Sequence, residues 1–392
     1  MKQGWEIKKL GEIGTFQRGG GFLKSDYVED GFPCIHYGQI HTRFGIKTFK
    51  HLTCIPEQLA LSKSKIANNG DIIIAITSED VEGSCKCTAW MGGYDVAVGG
   101  HAAIFRHTLN PAFVAYYFKG AYFQTAKTVF AHGSKVVEIK PNDIATIKIA
   151  YPSIEEQEKI VAELDCLSGI IEKKRQQLKE LDALAQSIFY EMFGDPVTNE
   201  KGWEVKPLGE VCDVRDGTHD SPKYLEYSDY VLVTSKNIVD GAIDFTTINY
   251  ISEEDYLNIN KRSCVDEGDI IMPMIGTIGN PIIIKGIDRK FCIKNVALIK
   301  FAQCSLATNI YIRALLDDRS YIQYLQNQHK GGTQKFLALG TIRKLKTPLP
   351  PLPLQQTFAS KIEAIEKLKE LIKQSINEVE TLFNSRMQEY FG

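Results

Sequence analysis

The chain has 392 residues, 44% of them hydrophobic and 24% charged, which excludes a disordered or fibrous protein and allows two or three globular domains, each with its own core. Its 46 Lys and Arg against 48 Asp and Glu give a formal charge of -2, which excludes a protein that binds polyanions simply by being basic throughout. Nine cysteines without paired spacing suit reduced thiols in a cytoplasmic protein; a start from Met1 to Lys9 without an apolar core argues against a signal peptide, and the lack of any run of eighteen apolar residues argues against a membrane span.

The chain opens with Gly4-Trp5-Glu6-Ile7-Lys8-Lys9-Leu10-Gly11-Glu12-Ile13, where Trp5 is expected to pack as a core residue. Arg18-Gly19-Gly20-Gly21, with Lys24 just beyond, and Tyr37-Gly38-Gln39 follow as loops. An apolar strand is predicted over Ile72 to Ile76. The Cys85-x-Cys87 pair has no second ligand pair, so no metal is expected. Gly99-Gly100-His101 leads into a strand at Ala102 to Phe105, and Asn110-Pro111 reads as the cap and first turn of a helix. Gly133-Ser134-Lys135 is a further glycine loop before a strand at Ile147 to Ala150. Tyr151-Pro152-Ser153 then marks a boundary.

From there the apolar positions follow a heptad: Ile160, Leu164, Leu167, Ile171, Leu178, Leu181, Ala185, Ile188 and Met192, interrupted at Lys174. A helix of about 36 residues is roughly 54 Å long at 1.5 Å per residue. Such a helix overhangs a domain of ordinary size, so it is expected to pair with another long helix rather than lie only on its own globule.

At position 202 the chain begins again. Gly202-Trp203-Glu204-Val205-Lys206-Pro207-Leu208-Gly209-Glu210-Val211 repeats the opening with a shift of 198. Gly268-Asp269-Ile270-Ile271 matches Gly70-Asp71-Ile72-Ile73, and Pro350 and Gln355 match Pro152 and Gln157. The second half carries its own polar loops: Asp216-Gly217-Thr218-His219 with Lys223 beyond, Ser235-Lys236-Asn237, Gly276-Thr277-Ile278-Gly279-Asn280, Lys294-Asn295 and Gly331-Gly332-Thr333-Gln334-Lys335. Strands are predicted over Ile270 to Met274 and Ala297 to Phe301, with a helix from about Thr308. After the proline-rich Pro348 to Pro353, a second heptad runs through Phe358, Ile362, Ile365, Ile372, Ile376, Val379, Phe383 and Tyr390, interrupted at Lys369 and Arg386.

These patterns divide the chain into an α+β domain over 1–153, a long helix and linker over 154–200, a second α+β domain over 201–352 and a second long helix over 353–392. The compact pairing of the helices is antiparallel, with the domains at opposite ends. Charge segregates with this division. Residues 1–153 carry 17 basic against 13 acidic side chains and residues 201–352 carry 19 against 18, while residues 154–200 carry 5 against 11. The globular parts are thus free to present local basic faces.

Two openings in Gly-Trp-Glu-x-Lys-x-Leu-Gly-Glu (Pro207 replacing Lys9), two Pro-x-x-x-x-Gln helix entries and two long helices ending in Phe-Gly resemble the specificity subunits of type I restriction-modification enzymes, over nearly the whole length. The resemblance implies two target-recognition domains separated by antiparallel coiled-coil helices, each domain reading one half of an interrupted double-stranded DNA site. It implies two methylation subunits, which bind S-adenosylmethionine, and motor-nuclease subunits as partners. This chain would bind no cofactor and carry no catalytic residue.

Base readout needs Arg, Lys, Asn, Gln or small polar groups, and loop glycines let amides approach phosphates. The DNA-contacting candidates are therefore Arg18, Gly20, Lys24, Tyr37, Gln39, His101, Ser134 and Lys135 in the first half. In the second they are Thr218, His219, Lys223, Lys236, Asn237, Thr277, Asn280, Lys294, Asn295, Thr333, Gln334 and Lys335. Each glycine loop is also an ordinary turn candidate. The competing functions are a coiled-coil scaffold without DNA, the recognition subunit of a combined methylase-nuclease, and an amino-methyltransferase suggested by Asn110-Pro111-Ala112-Phe113, which lacks a glycine-rich methyl-donor loop. A nuclease centre at Glu79, Asp80 and Lys86 has no counterpart in the second half.

Overall fold

The computed structural model describes residues 4–133, 136–239, 241–275, 279–327 and 337–392. It divides into two compact units, one of residues 1–175 with 374–392 and the other of residues 176–373. The long helices span Ile154–Phe193 and Leu352–Phe391. The compact units, however, cut both helices near their middles.

In the first unit a five-stranded sheet has the order Gly14–Arg18, Ala102–His107, Ile72–Ala75, Cys87–Trp90, Lys47–Thr48. The central strand Ile72–Ala75 is buried along its whole length. Ile72 and Ile74 face a cluster with the helix Pro111–Lys119, and Ile73 and Ala75 face a second cluster around Trp90 and Val98. Covering both faces is why the strand reads as a continuous apolar run rather than an alternating one. A smaller sheet places Phe32–Ile35 parallel to Val96–Val98.

The second unit repeats this plan. Asp213–Asp216, Val296–Lys300, Ile270–Pro273 and Ile282–Ile283 form its main sheet, and Tyr230–Thr234 runs parallel to Lys290–Lys294. Registers are conserved as well: Glu6 lies opposite Tyr151 and Glu204 opposite Leu349, both pairs related by the shift of 198. The predicted strands and the two short helices are all present within one or two residues.

The Pro-x-x-x-x-Gln motif has a specific structural role. Gln157 is buried; its Oε1 accepts the Asn110 amide at 2.9 Å and its Nε2 donates to the Pro152 carbonyl at 2.9 Å. Gln355 does the same with Thr308 and Pro350, at 2.9 and 2.8 Å. Each glutamine satisfies an orphan amide at a helix start and ties it to the entry of the long helix. Asn110, accepting from the amides of Ala112 and Phe113, is a helix cap, and Phe113 is buried in the core.

The heptad residues require a correction. The expected seam between two helices accounts for only part of them, because the globular cores absorb the rest. Ile160 and Leu164 lie in the first unit's main core, joined there by Met387 and Phe391 from the end of the second long helix, with Phe383 packed alongside. Phe358, Ile362 and Ile365 lie in the second unit's core with Phe189 and Phe193, and Leu181 and Ile188 pack against it. Leu167, Ile171 and Ile376 are buried; Leu178, Ile372 and Val379 are half-buried. Within each unit the helix segments pack antiparallel. Glu163 pairs with Arg386 at 2.8 Å and Arg175 with Glu380 at 2.6 Å in the first, while Asp182 pairs with Lys369 at 2.8 Å in the second. Two of the heptad's polar interruptions, Lys369 and Arg386, are thus ion-paired across the seam, which uses part of the acidic excess of the first helix.

Candidate nucleic-acid interface

In each unit the first sheet strand ends in a glycine that crosses very close to a second chain segment. A Cβ on Gly19 would lie 2.2 Å from the Gly99 carbonyl oxygen, and one on Gly217 would lie 2.2 Å from that of Ile293. The hydrogen bonds match. Gly19 donates to Ala102 at 2.8 Å and Gly20 to Val98 at 2.8 Å; Gly217 donates to Val296 at 2.9 Å and Thr218 to Ile293 at 3.0 Å. Close backbone approach therefore requires these glycines. The frame sets Arg18 and Gly20 beside Gly99-Gly100-His101 in the first unit, and Thr218 and His219 beside Lys294-Asn295 in the second.

A third segment joins the frame in both units. His36 and Thr234 precede short helical turns, and each of their amides is accepted by a side-chain amide oxygen three residues on, from Gln39 at 3.2 Å and from Asn237 at 3.0 Å. Gln39 also donates to Thr53 at 3.1 Å, and Asn237 to the carbonyls of Asp244 and Thr247 at 3.2 and 2.8 Å. Both are buried. Gln39 and Asn237 are accordingly corrected from base-contact candidates to braces that fix their loops. Their neighbours Tyr37 and Lys236 stay exposed.

On the same frame the two units present different chemistry. In the first, Tyr37 and His101 rings lie 5.2 Å apart, Tyr37 and His41 5.9 Å apart, and all three line a groove of about 700 Å³ with Thr77, Glu79, Asp80 and Lys86. Arg18 is partly committed, donating to the Gly100 carbonyl at 3.0 Å and pairing with Glu138 at 2.9 Å. Lys24 is exposed on a single helical turn.

In the second unit His219 is bonded through Nδ1 to Asn295 Oδ1 at 2.8 Å and through Nε2 to Asp216 Oδ2 at 2.9 Å. Two acceptors on one imidazole favour the cation, so the His219 pKa is raised, first by Asn295 and then by Asp216. Arg262 reaches the same buried Asp216, and Lys294 donates to Ser221. Asp216, Thr218, Ser221 and Arg262 line a cleft of about 430 Å³. Asn295 and Asn280 adopt left-handed conformations, with φ 54° and 53°. Lys223 is exposed.

Ser134, Lys135, Thr277, Thr333, Gln334 and Lys335 lie outside the described residues. Sequence reasoning missed Arg262, which sits in the last turn of the helix Glu253–Ser263 and reaches Asp216 only through tertiary packing. His41 had no local signal either. Trp5 packs against the main core, and Trp203 donates to the Phe193 carbonyl at 2.8 Å, so both belong to the scaffold. Among the described residues no group of His, Cys, Asp and Glu converges as a metal site, and no helix is long and apolar enough to cross a membrane.

A family model described as the type I restriction modification DNA specificity domain matches residues 2–182 and again 200–381. The MjaIX type I restriction enzyme specificity subunit of Methanocaldococcus jannaschii is 28% identical over 254 residues, 59% of this chain; the match spans only 57% of that relative's length. Among solved structures, the type I restriction-modification S subunit from M. genitalium is similar with a TM-score of 0.57 at 13% identity, covering 99% of this chain and 96% of the other. A chain from a structural study of complex assembly and conformational transition in the type I restriction-modification system gives a TM-score of 0.61 at 18% identity, covering 100% and 98%. Both structures share the fold.

Proposed function

The chain belongs to the type I restriction-modification DNA specificity family, and on that footing we propose that it is the recognition subunit of such a complex, reading an asymmetric, two-part site in double-stranded DNA. Each unit reads one half. The observation that carries this is the doubly repeated loop frame, held by the same glycine and the same side-chain amide brace, on which Tyr37 and His101 stand in one unit and Lys236, Lys294 and Asn295 in the other. Identical frames with unlike side chains suit two readers of unlike sequences.

The long helices act as the spacer between half-sites and as the docking region for two methylation subunits, through which motor-nuclease subunits join. Methyl transfer and cleavage belong to those partners; this chain contributes neither a catalytic group nor a cofactor site, and works in the cytoplasm. The near-neutral charge fits a reader whose phosphate contacts are supplemented by basic partners.

Co-expression with the methylation subunits in a methylation-free host, followed by mapping of methylated adenines, tests this directly. The expected result is an interrupted asymmetric motif that requires this chain. Inserting one heptad in both helices should lengthen the unread spacer and leave both half-sequences intact. Assembly without any new methylation would reject the recognition role.

A further inference from the structure

The second unit holds two thiols that DNA recognition does not use. Cys212 directly follows the short helix Leu208–Val211 and precedes the strand Asp213–Asp216, while Cys304 lies after the strand Val296–Lys300. These strands pair with Asp213 opposite Lys300, so the cysteines meet at the end of the ladder away from Thr218 and Asn295. Their sulfurs are 3.4 Å apart although 92 positions separate them in sequence. A disulfide bond is about 2.0 Å long, so closure asks for a modest side-chain rotation.

The two sulfurs are not alike. Cys212 is buried and Cys304 partly exposed, so an oxidant reaches Cys304 first. The hydrogen bond shared with Cys212 lowers the Cys304 pKa against its partial burial, and the Cys304 sulfur also lies within donating distance of the Val211 and Ala307 carbonyls, at 3.2 and 3.3 Å. Cys212 is held protonated by the same hydrogen bond and by burial. This is the asymmetry of an attacking and a resolving thiol. The first unit has Gly14 at the position of Cys212, so only the second has the pair.

We propose that Cys212 and Cys304 form a reversible disulfide when the protein meets hydrogen peroxide, a covalent staple present in the second unit alone. The Cys304 thiolate attacks one peroxide oxygen and becomes a sulfenic acid as hydroxide leaves. The Cys212 thiol then attacks the Cys304 sulfur, forming the S–S bond and releasing water. Two thiols lose two electrons, and the peroxide is reduced to two waters.

The test treats the full chain with hydrogen peroxide, alkylates the remaining thiols and follows intact mass, peptide mapping and thermal unfolding. Expected are a loss of two hydrogen masses, a Cys212–Cys304 cross-linked peptide reversed by dithiothreitol, and a rise of one unfolding transition by about 5–15 °C. Cys304→Ser should abolish all three. Cys212→Ser should leave a sulfenic acid at Cys304 that dimedone traps without a cross-link. Oxidation at the exposed Cys166 or Cys264 with Cys212 and Cys304 still alkylatable overturns the proposal, as does a cross-link that survives in Cys304→Ser.

Discussion

At the loop that follows the first sheet strand, the two units differ in almost every side chain and in almost no backbone hydrogen bond. Arg18 in one corresponds to Asp216 in the other, an inversion of charge, and Tyr37 corresponds to Ser235. Yet Gly19 and Gly217 make the same approach, and Gln39 and Asn237 make the same brace. The difference teaches that this frame is held by groups pointing inward, which leaves the outward groups free to change without cost to folding. Arg18 finds Glu138, and Asp216 finds Arg262 and His219, so each charge is compensated by neighbours of its own unit.

The strongest way to break the comparison is to spoil one frame only. Gly217→Ala puts a methyl group against the Ile293 carbonyl and should cost about 2–3 kcal/mol, weakening recognition of the second half-site alone; Gly19→Ala should mirror it in the first. Methylation mapping against substituted half-sites measures both. If either change degrades both halves equally, the units do not read independently.

Next in size are the buried glutamines. Removing the Gln355 amide strands the Thr308 N–H, and Gln355→Ala should lower stability by about 1–3 kcal/mol in urea unfolding, with Gln157→Ala doing the same in the first unit. Outward substitutions should act on sequence preference instead. Lys236→Ala is expected to relax the second half-site by about 1–2 kcal/mol, and His101→Ala to relax the first, with melting temperatures nearly unchanged.

The smallest effect sharpens the contrast through pH. The raised pKa of His219 gives the second unit a contribution fully present below the unfolded value of about 6.5 and lost as pH rises through the folded one. Burial pushes His107 in the first unit down to about 4, so its contribution is present above about 6.5 and lost as pH falls toward 4. Acid should therefore weaken the first unit relative to the second. Melts between pH 5 and 8 should show this, and His219→Ala should remove the second unit's share of the slope.

Much of this architecture was legible in the chain because its signals are local. The repeat, the apolar runs at Ile72 and Ile270, the Asn110 cap and the two heptads each lie within a short window of sequence. The parallel pairing of Phe32–Ile35 with Val96–Val98 was not, because its partners lie about 60 residues apart and no turn connects them. Composition also misled at Gln39 and Asn237. An amide side chain that can face a base edge can equally face its own backbone, and only the folded loop decides between them. Arg262 illustrates the opposite case: nothing near it in sequence distinguishes it from any helical arginine.

The ends of the long helices carry a further consequence. Phe189 and Phe193 are the repeat equivalents of Met387 and Phe391, and each pair is buried in the globule formed by the other repeat. Each core is therefore completed by a segment that its own repeat does not supply. This is the arrangement of an exchanged dimer joined into one polypeptide, as duplication and fusion of a self-associating ancestor would leave it. A gene cut between the repeats would encode two halves, each lacking the same plug and each carrying the plug the other lacks.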